Sequence, residues 1–382
     1  MDNRINWPLI ILAYSTLMAL ALIDNTRGPV FPNIISEMDI SASRASMLFA
    51  IASFSGLLTN ITARWWLPYV NSYYAAILSL VFLGVGSILF SQSTVYGPWL
   101  LDTSSFIIGL GMGVSNIGIN LLVAQATPVI HRRRFFAGLH SVYGIGSFCA
   151  PLFLNLYLLV FIGWHSFFIL LAFIPFAVIL SFLVFHKMPR SEVKDQKRKK
   201  LTAPCAYPTR LIFALLFGLY VSSEIVISSR LVYFLNSFET ISIDQARYAL
   251  SLFFLGLLTG RLSVAFIKTS ARSETLLIFS IFSSLTLYLL SVFISPYFLA
   301  LTGFSMSYFF PVAMDWLSNI FKDHLEYMMA SVMTGISIML VLMHVGFGYV
   351  TDLLDIRSAM VIFPALQIFC LGFIFLIKLK KL

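Results

Sequence analysis

Charge is scarce in this chain. Asp, Glu, Lys and Arg make up 11% of its 382 residues, against roughly 25% in a soluble domain. Hydrophobic residues make up 59% and the mean hydropathy is +0.91. A water-soluble fold could not cover so much apolar surface, so lipid is the expected solvent. Cysteine is scarce too. Three residues set no disulfide framework: Cys149 and Cys370 lie inside apolar runs and read as packing residues, and Cys205 lies in a polar stretch. No Cys/His spacing suggests zinc, and no bound cofactor is implied. The short alternating segments of a membrane β-barrel are missing. The apolar runs are continuous and about 20 residues long, the length of a membrane-crossing helix. A small-residue cleavage site is missing after the first run, which is flanked by Arg4 and by a polar, Pro-rich exit, so a cleavable signal peptide is not expected.

What is present is a succession of apolar runs in which phenylalanine is abundant, with 37 residues suited to lipid-facing and helix-packing positions. Read against turn and charge signals, the runs predict twelve spans: 7–35, 43–66, 73–92, 97–126, 134–160 and 163–186, then 209–236, 243–268, 271–294, 296–321, 326–350 and 356–379. The one long polar stretch, Lys187 to Pro208, carries Lys194, Lys197, Arg198, Lys199 and Lys200 and reads as a solvated cytoplasmic linker or a lipid-headgroup contact. It divides the chain into a six-helix bundle over 1–186 and a second over 209–382. The net charge of +9 follows membrane topology rather than nucleic acid. Of the 25 Lys and Arg, all but Arg27, Arg44, Arg230, Arg247 and Arg357 fall in segments that are inside if the N-terminus is cytoplasmic. The positive-inside rule then puts both termini in the cytoplasm. His131-Arg132-Arg133-Arg134 sets topology at the entry of the fifth helix, and Trp65 and Trp66 read as interface anchors.

Two segments match at an offset of 200 residues: Ser55-Gly56-Leu57-Leu58-Thr59-Asn60 and Leu255-Gly256-Leu257-Leu258-Thr259-Gly260. At the same offset Asp24 falls on Glu224, so a carboxylate recurs in the first helix of each half. Parallel six-helix repeats are a transporter plan with the substrate site near the membrane midplane. Three stretches also carry a family resemblance: Asp24-Asn25-Thr26-Arg27-Gly28-Pro29-Val30-Phe31-Pro32, then Gly138 to Gly146 with Ala150-Pro151, and Thr259-Gly260-Arg261-Leu262. The chain resembles the major facilitator superfamily over almost its whole length, and within it the fucose:proton symporter-like sugar transporters. The resemblance implies an all-α twelve-helix fold in two bundles. It makes the third stretch similar to the superfamily's signature loop after the eighth helix, with Arg261 in a gating role. Two departures leave the substrate open. The loop after the second helix, Asn60 to Trp66, lacks the usual acidic residue, and an amide, Asn116 or Asn120, stands where the symporter has a fourth-helix carboxylate.

Ionisable groups at lipid depth are costly and usually face a cavity or a partner. Asp24 reads as a proton-accepting carboxylate. Arg27, three residues on, shares its face and either tunes Asp24 and holds an anionic substrate or forms a static pair, snorkelling outward. Glu224 reads as the second proton site or as a hydrogen-bonded interhelical carboxylate. Arg230, six residues on, is off that face; it is expected at the outer end, as a substrate contact or a cation reaching headgroups. Asp315 follows Pro311, whose missing N–H permits a kink and a gating movement; the carboxylate is a cavity residue, a latch or an interfacial cap. His140 and His344, in corresponding helices, read as proton relays or packing residues. Asn116, Asn120 and Tyr143 read as ligand contacts or as glue between helices. Asp102 reads as interfacial. The glycines at 109, 111 and 113 allow close backbone approach.

The leading function is a secondary transporter working by alternating access, carrying a small polar or anionic solute and coupled to protons through Asp24, with Glu224. An exporter or antiporter of an amphiphilic, lipid-like compound is the alternative. A membrane transferase would need a clustered catalytic pair or metal ligands, and a receptor would need a sizeable soluble domain; neither pattern is visible. The expected partners are a small-molecule substrate, protons and membrane lipids, with no nucleic acid, for a monomer in a bacterial inner (plasma) membrane.

Overall fold

The computed structural model describes residues 5–67, 69–185, 207–266, 271–321 and 325–379. The linker expected from Lys187 lies outside them as far as residue 206, and so do Cys205, Arg4, Lys268, Lys322, Lys380 and Lys381. Every regular element among the described residues is a helix, and none is a strand. In lipid every backbone N–H and C=O must be satisfied within the segment, and the helix does this.

Seven helices precede the linker: α1 (Trp7–Met38), α2 (Ala42–Trp66), α3 (Ser72–Ser91), α4 (Ser93–Tyr96), α5 (Pro98–Ala126), α6 (Val129–Leu158) and α7 (Trp164–Phe185). Eight follow: α8 (Tyr207–Asn236), α9 (Ile243–Phe266), α10 (Ser273–Phe293), α11 (Phe298–Met306), α12 (Phe309–Ile320), α13 (Leu325–Leu353), α14 (Ile356–Ala359) and α15 (Ile362–Leu379). Among the described residues ten helical segments are long and apolar enough to cross a membrane. The two further expected spans are α9, which carries Asp244, Arg247 and Arg261, and the α11–α12 pair, whose members are individually too short.

Proline accounts for the interruptions. Pro311 has no N–H for the carbonyl four residues back, that of Ser307, and the tenth span breaks at Ser307–Tyr308, between α11 and α12. The kink expected near Pro311 is thus a full break one turn earlier. Pro364 stands four residues beyond Met360, where the single turn α14 gives way to α15. By contrast α1 runs straight through Pro29 and Pro32 to Met38, three residues past its expected end. It stops where Asp39 turns left-handed (φ 49°) and donates its N–H to the Ile35 carbonyl. The two prolines leave the carbonyls of Asn25 and Gly28 without their helical donors, beside Asp24 and Arg27.

The chain folds as two compact units. The first comprises Met1–Ile40 and Met47–Asp195, the second Ser41–Ser46 and Gln196–Leu382. The entry turn of α2 therefore belongs with the second unit, for a local reason. The Asp352 carboxylate accepts the N–H groups of Ala42 (2.8 Å) and Ser43 (3.0 Å), two of the donors a helix start leaves unpaired. Gly348 lets α13 approach so closely that a Cβ there would lie 2.7 Å from the Cα of Ser43.

Glycine sets the packing inside each unit. A Cβ on Gly109 of α5 would lie 2.6 Å from the Cα of Ala52 on α2, and one on Gly113 would lie 2.9 Å from the carbonyl of Gly56. In the second unit a Cβ on Gly303 of α11 would meet the Phe253 backbone of α9 at 2.8 Å, and one on Gly256 would meet the N–H of Phe304 at 2.7 Å. The matched glycines at 56 and 256 thus serve the same close helix contact in the two units. Gly303→Ala should cost about 1–3 kcal/mol, because the neighbour is backbone that cannot yield. Gly346→Ala, with nothing within 4 Å, should instead stabilise α13 by up to about 1 kcal/mol. Thermal unfolding in detergent measures both, and equal shifts would contradict the packing argument.

Candidate functional site

Each unit carries a carboxylate–guanidinium pair at the same depth. Asp24 stands seventeen residues past Trp7, the first residue of α1, and Glu224 seventeen past Tyr207, the first of α8. That is about 25 Å of helix in each case.

In the first unit the cation comes from the same helix. Arg27 donates through Nη2 to Oδ1 of Asp24. The guanidinium is nearly sealed, with 2% of the side chain exposed, whereas Asp24 retains 17%. The Phe49 ring of α2 lies under the guanidinium, 5.3 Å from Cζ to the centroid, within cation–π range. The Met112 sulfur of α5 is 3.8 Å from Nη2. Nε and Nη1 of Arg27 are buried and have no hydrogen-bond acceptor among the described residues. The outward-snorkelling arginine considered from sequence is therefore not what forms.

Polar groups surround this pair. Asn25 donates to Ser147 Oγ (3.0 Å) and to the Tyr143 hydroxyl (3.4 Å) of α6. Met112, Asn116 and Asn120 recur at four-residue spacing and so share one face of α5. Asn116 is exposed and Asn120 half-buried, with the Asn120 amide donating to the Asn116 carbonyl at 2.6 Å. His140, Tyr143 and Ser147 share a face of α6 in the same way; His140 is exposed and Tyr143 half-buried. Asp102 stands half-buried in the second turn of α5.

In the second unit the cation comes from the next helix. Arg261 Nη2 donates to Glu224 Oε1 at 2.9 Å, with 35% and 15% of the side chains exposed. Arg261 lies within α9, inside the span expected over 243–268, although its stretch resembles a loop signature. Glu224 supplies the counter-charge for this half-buried guanidinium. Beside the pair, Gln367 of α15 donates to Ser223 Oγ (2.7 Å). Tyr220, one turn before Glu224, stacks on Phe309 at 3.6 Å and donates to the Met306 carbonyl.

Arg230 also departs from expectation. It is fully buried, not a helix-end cation among headgroups. Its Nη2 donates to Ser46 Oγ (3.0 Å) and lies 3.5 Å from Nδ1 of His344, itself buried. Arginine has no acceptor atom, so any bond between them requires Nδ1 of His344 to accept. The Phe347 ring lies 5.4 Å from Cζ of Arg230, as Phe49 does from Arg27. Asp315 lies apart from both pairs, exposed on α12, where Asn319 donates to it at 3.2 Å. Phe49, Met112, Phe347 and Ser46 gave no signal in the sequence. Asn25 did, as the neighbour of Asp24.

The family model for the Major Facilitator Superfamily matches residues 13–241. Among solved structures, the nucleoside transporter NupG (a D323A mutant) superposes with a TM-score of 0.75 at 12% identity, covering 96% of this chain and 99% of that one. A bacterial homologue of the human lysosomal transporter Spinster, in an inward-facing and occupied conformation, gives a TM-score of 0.73 at 13% identity, covering 97% of this chain and 96% of that one. No curated protein matches the sequence.

Proposed function

The chain belongs to the major facilitator superfamily, and from that premise we infer a secondary transporter that carries a small polar or anionic solute together with protons. It is an integral membrane protein with the superfamily's twelve-span fold and a transporter of a small molecule, not an enzyme. The proton coupling, the solute and a bacterial inner membrane as its site, with both termini cytoplasmic, are our reading. Movement would follow alternating access, one six-helix repeat rocking against the other.

One observation carries the coupling. Asp24 and Glu224 stand at one depth in the first helix of their units, each partly exposed and each joined to a guanidinium. Membrane-embedded carboxylates mark proton and ion pathways, and adding a proton to either removes one half of an ion pair. Such a change biases a two-state equilibrium when the states differ in the pair. The test is uptake into proteoliposomes under an imposed pH gradient, with labelled uridine, glucose, succinate and phosphate. Acceleration of none of them by an inward proton gradient would overturn the coupling. Glu224→Gln should slow gradient-driven uptake at least 10-fold, and Asp102→Asn less than 2-fold. Equal effects would mean that the offset of 200 residues carries no function.

A second reading, export of an amphiphilic compound, draws on an apolar cavity of about 360 Å³ in the first unit, lined by Leu22, Phe153, Leu156, Phe167 and Leu170 among others. It predicts that the gradient drives efflux of an alkyl-chain probe such as a fluorescent fatty amine, and slower efflux on Leu170→Asn. Leu170 is half-exposed in a membrane-spanning helix, so an amide there carries a desolvation cost, and thermal unfolding of the variant separates that cost from the change in efflux.

A further inference from the structure

We propose that the solute carries an oxyanion, a carboxylate or a phosphate, which takes Arg27 from Asp24, and that the Asp24 thus released accepts the proton that crosses with it. This deepens, and rests on, the proton-coupled reading.

The constraint comes from Arg27. A guanidinium sealed to 2% exposure at lipid depth is strongly destabilising without a counter-charge. Arginine also does not give up its own proton. Asp24 can therefore become neutral only if another anion replaces it, or if Arg27 reaches water. The surroundings favour the first. Arg27 is walled by the Phe49 ring and the Met112 sulfur, groups that pack on a guanidinium and do not hydrate it. Its Nε and Nη1 have no acceptor among the described residues, so the fork is only partly used by Asp24. Oxyanions bind a guanidinium best through two parallel bonds. Each bidentate edge of the fork contains Nη2, the nitrogen that Asp24 occupies. An incoming oxyanion that takes an edge must compete with Asp24 for that nitrogen and brings Nε or Nη1 into use. The partly exposed Asp24 is the member that can leave.

The charges balance. Before binding, Arg27 and Asp24 sum to zero. After it, Arg27 and one negative charge of the oxyanion sum to zero and the protonated Asp24 is neutral; a dianion leaves its second charge outside this exchange. One anion and one proton enter together, and no charge is stranded among the helices. The exposed and half-exposed polar groups at Asn116 and Asn120, on the same face of α5 as Met112, can hydrogen-bond the rest of the solute.

The experiment is binding to the purified full chain by calorimetry, with benzoate, succinate and inorganic phosphate as anions and uridine and glucose as neutral solutes. Proton uptake is followed at the same time in weakly buffered medium. The expected result is that a carboxylate or phosphate binds and about one proton is taken up per anion. The carboxylate and phosphate arms say which oxyanion is used. Asp24→Asn should bind the same anion without proton uptake, and the anion should raise its melting temperature more than that of the wild type, because the anion restores a counter-charge to Arg27. The double variant Asp24→Asn, Arg27→Gln carries no charge at the site, should fold, and should bind the anion at least 100-fold more weakly. Anion binding without proton uptake in the wild type, or uptake undiminished in Asp24→Asn, overturns the exchange. Absence of binding by every anion overturns the oxyanion class. If uridine or glucose binds instead and its uptake still depends on the pH gradient, this proposal fails while the proton-coupled transporter stands.

Discussion

Asp24→Asn should reduce uptake driven by an imposed pH gradient at least 100-fold, to the background of empty vesicles. The amide is nearly the same shape as the carboxylate but cannot take a proton. It still offers an oxygen to Nη2 of Arg27, so the chain should fold. It no longer offers a charge, however, and Arg27 is buried. Leaving the buried guanidinium without its counter-charge should cost about 3–5 kcal/mol. Thermal unfolding of the variant reads that cost. The transport effect separates from it through the double variant Asp24→Asn, Arg27→Gln, which should recover stability without recovering gradient-driven uptake. Gradient-driven uptake at wild-type rate in Asp24→Asn would remove Asp24 from the proton path.

The ends of the helices and the place of the two carboxylates were legible in the sequence because both depend on local rules. Long apolar runs bounded by turn and charge signals placed the described span ends to within a few residues, apart from the fifth, whose helix begins at Val129 rather than at Arg134. Its first turn carries the basic cluster, and charge hid helix there. The ends expected at 186 and 268 lie outside the described residues, and the tenth and twelfth spans each divide in two. The Asp24–Arg27 pair was legible because three residues along a helix is a contact distance. The Glu224–Arg261 pair was not, because its two members are 37 residues apart in the chain and meet only through packing of α8 on α9. The same limit misplaced Arg230. Spacing along α8 said that it leaves the face of Glu224, which is right, but could not say that Ser46, His344 and Phe347 enclose it. The break in the tenth span was half legible: proline marks the missing donor, while the loss shows one turn earlier, at the orphaned carbonyl.

Arg230→Ala and Arg230→Met should part by several kcal/mol, and the difference says why a charge is kept there. Truncation to alanine removes a large, fully buried side chain and leaves Ser46 and His344 without this partner, a loss of about 3–5 kcal/mol. Methionine keeps most of the length and the contact with the Phe347 ring, and replacing a buried charge by a packed apolar group is often neutral or stabilising. Arg230→Met should therefore unfold within about 1.5 kcal/mol of the wild type, or above it. If the side chain serves only packing, transport by the methionine variant will match the wild type. The expected result is the opposite: folding kept and uptake reduced at least 10-fold. A cation that costs desolvation and can be replaced without loss of stability has to be accounted for by work on the solute, and a stable but inactive Arg230→Met would place Arg230 with Asp24, Arg27 and Glu224 in the transport machinery.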